Sequence, residues 1–170
     1  FHATPIFVFV SDNIKGGYYI IKLAEKLLDE NIKIFVAGSY PRNLVVPKNI
    51  ILLGKVSNQK ELAQYYSGAD VTVIASKRET FSMIVAESLC CGTPVAGFYA
   101  GAPEQITIPE YSRFSEYGNV DLLKGNVLEL FECGFDKQCI TKAATNKYEK
   151  MKMITEYLNL YSEMRKEENE

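Results

Sequence analysis

Two carboxylates, Glu79 and Glu87, stand eight positions apart in Arg78-Glu79-Thr80-Phe81-Ser82-Met83-Ile84-Val85-Ala86-Glu87. Paired carboxylates can move protons or accept hydrogen bonds from hydroxyls, and their separation decides which. Read as continuous helix, this spacing puts both on roughly one face, about 12 Å apart by helical rise. An acid–base couple working on one glycosidic bond needs roughly 5 to 10 Å. The spacing therefore fits two carboxylates gripping hydroxyls at two places along one extended ligand. A competing reading makes Glu79 a helix cap and Glu87 a solvated helix residue. Against it, Glu87 lies within the apolar run Ile84-Val85-Ala86-Glu87-Ser88-Leu89, where a charge is costly without a partner.

A helix expected from Phe81 to Cys91 would aim the amides of Phe81, Ser82 and Met83 and a positive dipole end at an anion. The alternative for these amides is capping by Thr80 or water. Cations stand nearby in the sequence. Lys15 precedes Gly16 and Gly17 after the first apolar run; glycine permits close backbone approach, and the lysine could neutralise a diphosphate. The G-x-G-x-x-G dinucleotide spacing is absent. Lys77 and Arg78 are either a surface pair flanking Glu79 or further phosphate ligands. Tyr65-Tyr66 and Tyr18-Tyr19 read as half-buried core residues, with stacking on a ligand as the alternative.

The bulk numbers narrow the function classes. The 170 residues suffice for one domain with a real core. A net charge of −2 with no basic block argues against nucleic acid as partner. No apolar run approaches the roughly 20 residues that span a bilayer, and no signal peptide is visible at Phe1-His2-Ala3-Thr4. The chain does not begin with Met, which fits a piece of a longer protein. Cys90, Cys91, Cys133 and Cys139 suit neither a disulfide framework nor zinc spacing; they read as reduced, in a cytoplasmic protein. The single histidine, His2, argues against histidine catalysis.

The elements that must position these groups alternate. Pro5–Val10, Ile32–Ala37, Ile50–Leu53, Val71–Ala75 and Val95–Phe98 are apolar runs suited to strands buried on both faces. Between them, helices are expected over Tyr18–Asp29, with Ile20, Ile21, Ala24, Leu27 and Leu28 inward, and after an Asn58 cap with Glu61 at the third helical position. Gly92 sits where a C-cap glycine belongs. Beyond, Arg113–Glu116 reads as a short edge strand. Val120–Cys133 reads as a helix with Leu122, Leu123, Val127, Leu130 and Phe131 inward, and 139–150 and 152–165 as terminal helices. This alternation predicts an α/β, Rossmann-like, doubly wound parallel sheet with helices on both faces. Ligands of such sheets bind beyond the carboxyl ends of the strands. The loops 11–17, 38–40, 54–57 and 76–80 all fall there.

The residues also resemble a known family. Ser76-x-x-Glu79-Thr80-Phe81-Ser82, then Glu87-Ser88-Leu89 and Cys91-Gly92-Thr93-Pro94-Val95, are similar to the signature of retaining GT-B glycosyltransferases of the GT4 type. There, two glutamates separated by seven residues precede an A-x-G-x-P-V turn. Ala69-Asp70-Val71, Leu53-Gly54-Lys55-Val56, Gly101-Ala102-Pro103-Glu104 and the 153–164 helix resemble further family stretches. The flavour is that of bacterial capsule, exopolysaccharide and lipopolysaccharide enzymes. The resemblance implies the C-terminal, donor-binding half of a GT-B fold, spanning 1–170 as one domain, with the N-terminal acceptor domain missing.

It further implies that Glu79 is the catalytic-site residue contacting donor sugar hydroxyls and Glu87 the ligand of the ribose. Phe81, Ser82 and Met83 offer amides to sugar and diphosphate. Lys15-Gly16 matches the phosphate-binding "KG", and Gly54, Lys55 and Val56 hold the base. Val10 stands where the family usually has an arginine. The implied reaction is retaining hexosyl transfer from a UDP- or GDP-sugar to a glycan or lipid-linked acceptor, with no metal or other cofactor, since no Asp-x-Asp motif is present. The isolated domain is expected to be inactive or weakly active, with room for peripheral association of a full-length enzyme at the inner face of the membrane. A sugar-nucleotide 2-epimerase, or a non-catalytic module docking on a separate acceptor domain, are the rival readings.

Overall fold

The computed structural model describes residues 4–10, 16–38, 45–149, 154, 155, 157–159 and 161. Six strands form one sheet: β1 (Thr4–Val10), β2 (Ile32–Gly38), β3 (Ile50–Gly54), β4 (Val71–Ile74), β5 (Val95–Phe98) and β6 (Ser112–Ser115). Their order is β3-β2-β1-β4-β5-β6, and every pairing is parallel. The direction of travel through the sheet reverses between β1 and β4, and such a switch opens a crevice at the carboxyl ends of the strands. The doubly wound expectation is met, and the edge strand anticipated at Arg113–Glu116 is β6, one residue earlier.

The apolar runs behave as two-faced strands. Ile6 and Val8 of β1 face one layer and Phe7 the opposite one. The first layer is α1 (Gly17–Lys26) and α5 (Val120–Glu132), whose Ile20, Leu23, Ala24, Leu123, Val127 and Leu130 pack on Ile34, Val36, Val73 and Phe98. The second holds α2 (Gln59–Gly68), α3 (Met83–Cys90) and α6 (Lys137–Tyr148). There Val85, Leu89, Ile140 and Ala144 cover Ile74 and Val95, while Tyr66 and Ala69 cover Phe7 and Ala37. Complete burial of each large aliphatic chain contributes on the order of 2 kcal/mol.

Several sequence expectations are displaced. Leu28, Leu122 and Phe131 are exposed: helix α1 closes at Leu27, and on α5 the inward stripe is Leu123-Val127-Leu130. Pro103–Ile106, for which no element is expected from the sequence, forms the one-turn helix α4. Residues 154, 155, 157–159 and 161 are helical; the rest of the expected 152–165 helix lies outside the described residues.

The Gly92-Thr93-Pro94 turn locks the second layer to the sheet through buried polar bonds. Thr93 Oγ1 donates to the Tyr66 carbonyl at 2.6 Å. Ser88 Oγ pairs with Thr72 Oγ1 at 2.7 Å and lies 2.9 Å from the Thr93 carbonyl. Lys137 Nζ donates to the carbonyls of Ser67 and Ala69, each at 2.7 Å, placing a cation at the negative end of α2. Gly92 has φ of 82°, and a Cβ there would meet the Lys137 carbonyl at 2.7 Å, so the turn and α6 meet backbone to backbone. Thr93→Val keeps the shape but removes the buried side-chain donor to the Tyr66 carbonyl, leaving it only the Ala69 amide at 3.1 Å. It should cost about 2 kcal/mol, read as a lower midpoint in urea denaturation.

Candidate functional site

The loop after β4 begins at the switch point. Gly16, just ahead of α1, packs against its start: a Cβ on Gly16 would sit 1.9 Å from the Ala75 carbonyl. The left-handed φ of 75° and this approach both require glycine. Gly16 was expected to make room for a phosphate. Its closest approach in the fold is to the protein's own backbone, so its first role is to join the β1 and β4 loops. Lys15, the adjoining cation, lies outside the described residues.

The chain beyond Ala75 runs along the sheet edge to Glu79, whose amide donates to the Ala100 carbonyl at 3.0 Å. That carbonyl's loop is itself clamped. Glu104 Oε2 accepts from the Ala100 amide at 3.1 Å and Oε1 from the Gly101 amide at 2.8 Å. Glu79 is thus fixed from the β5 side, and its side chain is half-buried.

The helix then starts later than its apolar pattern suggests. Ser82, not Glu79 or Thr80, is the N-cap, with φ 66° and ψ 70°. It is the only non-glycine residue of positive φ among the described residues. A left-handed L-residue costs roughly 1 to 2 kcal/mol. This kink takes Phe81 and Ser82 out of the helix, so Glu79 and Glu87 do not share one helical face and the 12 Å rise argument does not apply. The serine side chain makes no capping bond; its Oγ is buried and has no hydrogen-bond partner among the described residues. Beyond it, the Val85 amide donates to the Ser82 carbonyl at 3.0 Å, and the amides of Met83 and Ile84 open α3 ahead of the first intrahelical bond.

Despite the kink, both glutamates line one cleft of about 460 Å³, together with Val56, Leu62, Tyr66 and the whole Thr80–Ile84 segment. The volume is that of small-molecule sites, ~300 to 1,000 Å³. Phe81 and Met83 are exposed on its rim. Of the candidate residues, Glu79, Phe81, Ser82, Met83, Glu87 and Val56 are brought together. Gly54 and Lys55 end β3 beside Val56, exposed, and do not line the cleft. Lys77 and Arg78 are exposed on the loop leading to Glu79.

Sequence reasoning left out Tyr66 as a site residue. It is 1% exposed, its ring stands edge-on to Phe7 at 4.9 Å, and its hydroxyl donates to Glu87 Oε2 at 3.1 Å. Burial, and then the Glu87 charge, push its phenol well above the ordinary tyrosine range. The awkward charge in the apolar run thus has its partner, 21 positions away. Only the sense that Glu87 needed one was readable beforehand.

Residues 4–132 match the family described as glycosyl transferases group 1. An uncharacterized glycosyltransferase of Methanocaldococcus jannaschii is 31% identical over 162 residues, 86% of this chain and 41% of its own length. A protein in the cps region of Klebsiella pneumoniae is 24% identical over 172 residues, covering 92% of this chain and 45% of its own. Anabaena HepE in complex with UDP superposes with a TM-score of 0.78 at 14% identity, over 95% of this chain and 49% of its own. The chain thus spans less than half the length of these proteins.

Two phenols, one buried and one half-buried, tie stability to pH. Tyr148, half-buried and donating to the Ile106 carbonyl at 2.8 Å, is pushed up to about 12 by burial and then by Cys90; Tyr66 is raised further. The folded state keeps protons that the unfolded chain releases above about pH 10. Their stabilisation is therefore complete below that pH and lost as pH rises through the folded values. Urea denaturation should show a midpoint that falls above about pH 10, and Tyr148→Phe should flatten part of that fall.

Proposed function

This chain belongs to the group 1 glycosyl transferases, and on that premise we propose that it is the donor-binding half of a retaining hexosyltransferase of GT-B architecture. The observation that carries the reading is the single cleft holding Glu79, Glu87 and the kinked Ser82. In this reading it takes a UDP- or GDP-sugar. Glu79 accepts hydrogen bonds from the sugar hydroxyls, and Glu87 accepts them from the ribose. Ser82, whose hydroxyl has no partner among the described residues, and the amides of Phe81, Ser82 and Met83 face the sugar and diphosphate. Gly54, Lys55 and Val56 border the base. Lys15, with Gly16 joining its loop to the β4 loop, supplies positive charge for the phosphates.

The transfer breaks the bond between the anomeric carbon and the diphosphate oxygen. It forms one from that carbon to an acceptor hydroxyl oxygen with the configuration kept, and the hydroxyl proton leaves with the diphosphate. Donors already aimed at the departing diphosphate lower the barrier because charge develops there, and no metal is required in this scheme. The acceptor is a glycan or lipid-linked sugar bound by a second domain. The cps region of the Klebsiella relative supports a place in surface-polysaccharide synthesis, in the cytoplasm or at the inner membrane face. Among the described residues no helix is long and apolar enough to cross a membrane. Release of free nucleoside diphosphate, rather than an isomerised sugar nucleotide, separates this reading from a 2-epimerase.

Calorimetry with UDP, GDP and their glucose conjugates tests the assignment. Glu87→Ala should weaken the free diphosphates and the conjugates alike, by roughly tenfold or more. Glu79→Ala should weaken only the sugar conjugates. Parent-like binding by both variants, or no binding to any of these ligands by the folded chain, would sink it.

A further inference from the structure

We infer that Tyr66 is a positioning residue for Glu87, and that its phenol sets the affinity of the cleft for the ribose hydroxyls; this rests on the reading of Glu87 as the ribose ligand. A glutamate on a helix has three side-chain torsions, and fixing them costs entropy that an unrestrained carboxylate spends on each binding event. Here the cost is met in the fold. Tyr66 Oη donates to Oε2 at 3.1 Å from a ring that cannot move. The ring is buried against Phe7 at 4.9 Å, and its backbone carbonyl is held by Thr93 Oγ1 at 2.6 Å. β1, α2 and the Gly92-Thr93-Pro94 turn thus converge on one phenol, and the phenol on one carboxylate oxygen. An ionised carboxylate offers about four acceptor positions. Tyr66 occupies one and leaves Oε1 whole for a ligand diol in the cleft that Tyr66 and Glu87 both line.

The phenol differs from a simple core tyrosine in what its removal should change. Tyr66→Phe retains the ring packing, so the chain should still fold, with a melting temperature lowered by about 5 °C as Glu87 loses its partner. Binding of UDP or GDP, whichever the parent chain binds, should weaken roughly tenfold. The dideoxyribose analogue, which has no diol to offer, should bind Tyr66→Phe and parent equally well. In a Glu87→Ala background, Tyr66→Phe should add no further loss.

Equal weakening of both nucleotides, or an undiminished effect without Glu87, would assign Tyr66 a structural role only and overturn the inference. Weakening by Glu87→Ala but not by Tyr66→Phe would overturn it while leaving the ribose role of Glu87 intact. No weakening by Glu87→Ala would remove both. Should Tyr66→Phe fail to fold, the phenol's ring packing rather than its hydroxyl would be the target, and Thr93→Ser, which keeps the bond to the Tyr66 carbonyl, would be expected to bind UDP or GDP as the parent does; a tenfold loss there would count against the arrangement.

Discussion

The hydroxyl of Thr93, buried beneath α2 and bonded to the Tyr66 carbonyl at 2.6 Å, is the contact through which the sheet and the cleft are joined. Carbonyls at the end of a helix lack intrahelical donors, and a buried one left bare is costly. The Ala69 amide reaches the Tyr66 carbonyl at 3.1 Å, and Thr93 and Lys137 add side-chain donors to the carbonyls of Tyr66, Ser67 and Ala69. In doing so they fix the last turn of α2 over β1 and against α3. The Tyr66 ring is carried with that turn, and its hydroxyl reaches Glu87. A polar group at the foot of the domain is thus coupled, through one side chain, to the orientation of a carboxylate at its ligand-facing cleft.

The second constraint is the parallel sheet. With both faces covered, variation is confined to the loops at its two edges, and the switch between β1 and β4 concentrates the useful loops at one point. Gly16 touching Ala75 and Glu79 bonded to Ala100 tie the loops after β1, β4 and β5 together in series. Glu104 then braces the last of them with both carboxylate oxygens. Ser82 holds a left-handed backbone at the centre of this frame. Such strain persists where the surroundings enforce it, and ligand sites are where it collects. A buried hydroxyl at the same residue, without a partner among the described residues, points the same way.

Much of the fold was legible because its cause is local. Apolar runs of four to seven residues separated by amphipathic stretches leave few architectures open, and Asn58 announces its helix through a side chain that accepts from Lys60 and Glu61. The misplacements have a common origin as well. Leu28, Leu122 and Phe131 satisfy a helical period but lie at the margin of a stripe whose width is set by the neighbouring helix. Helix α4 opens on Pro103, a residue type that reads equally well as part of a turn or as a first helical residue.

The amino-acid sequence by itself determined the α/β class and the parallel sheet with helices on both faces, because hydrophobic period, capping and turn chemistry act over a few residues. It also carried the family pattern, whose residues lie close together along the chain. Tertiary structure alone decided that α3 starts at Met83 behind a left-handed Ser82, that Gly16 serves Ala75, and that Glu87 is held by Tyr66. Each of these depends on groups brought together from 21 or more positions away or on a backbone angle that serine does not advertise. Packing, not local propensity, chooses among such arrangements.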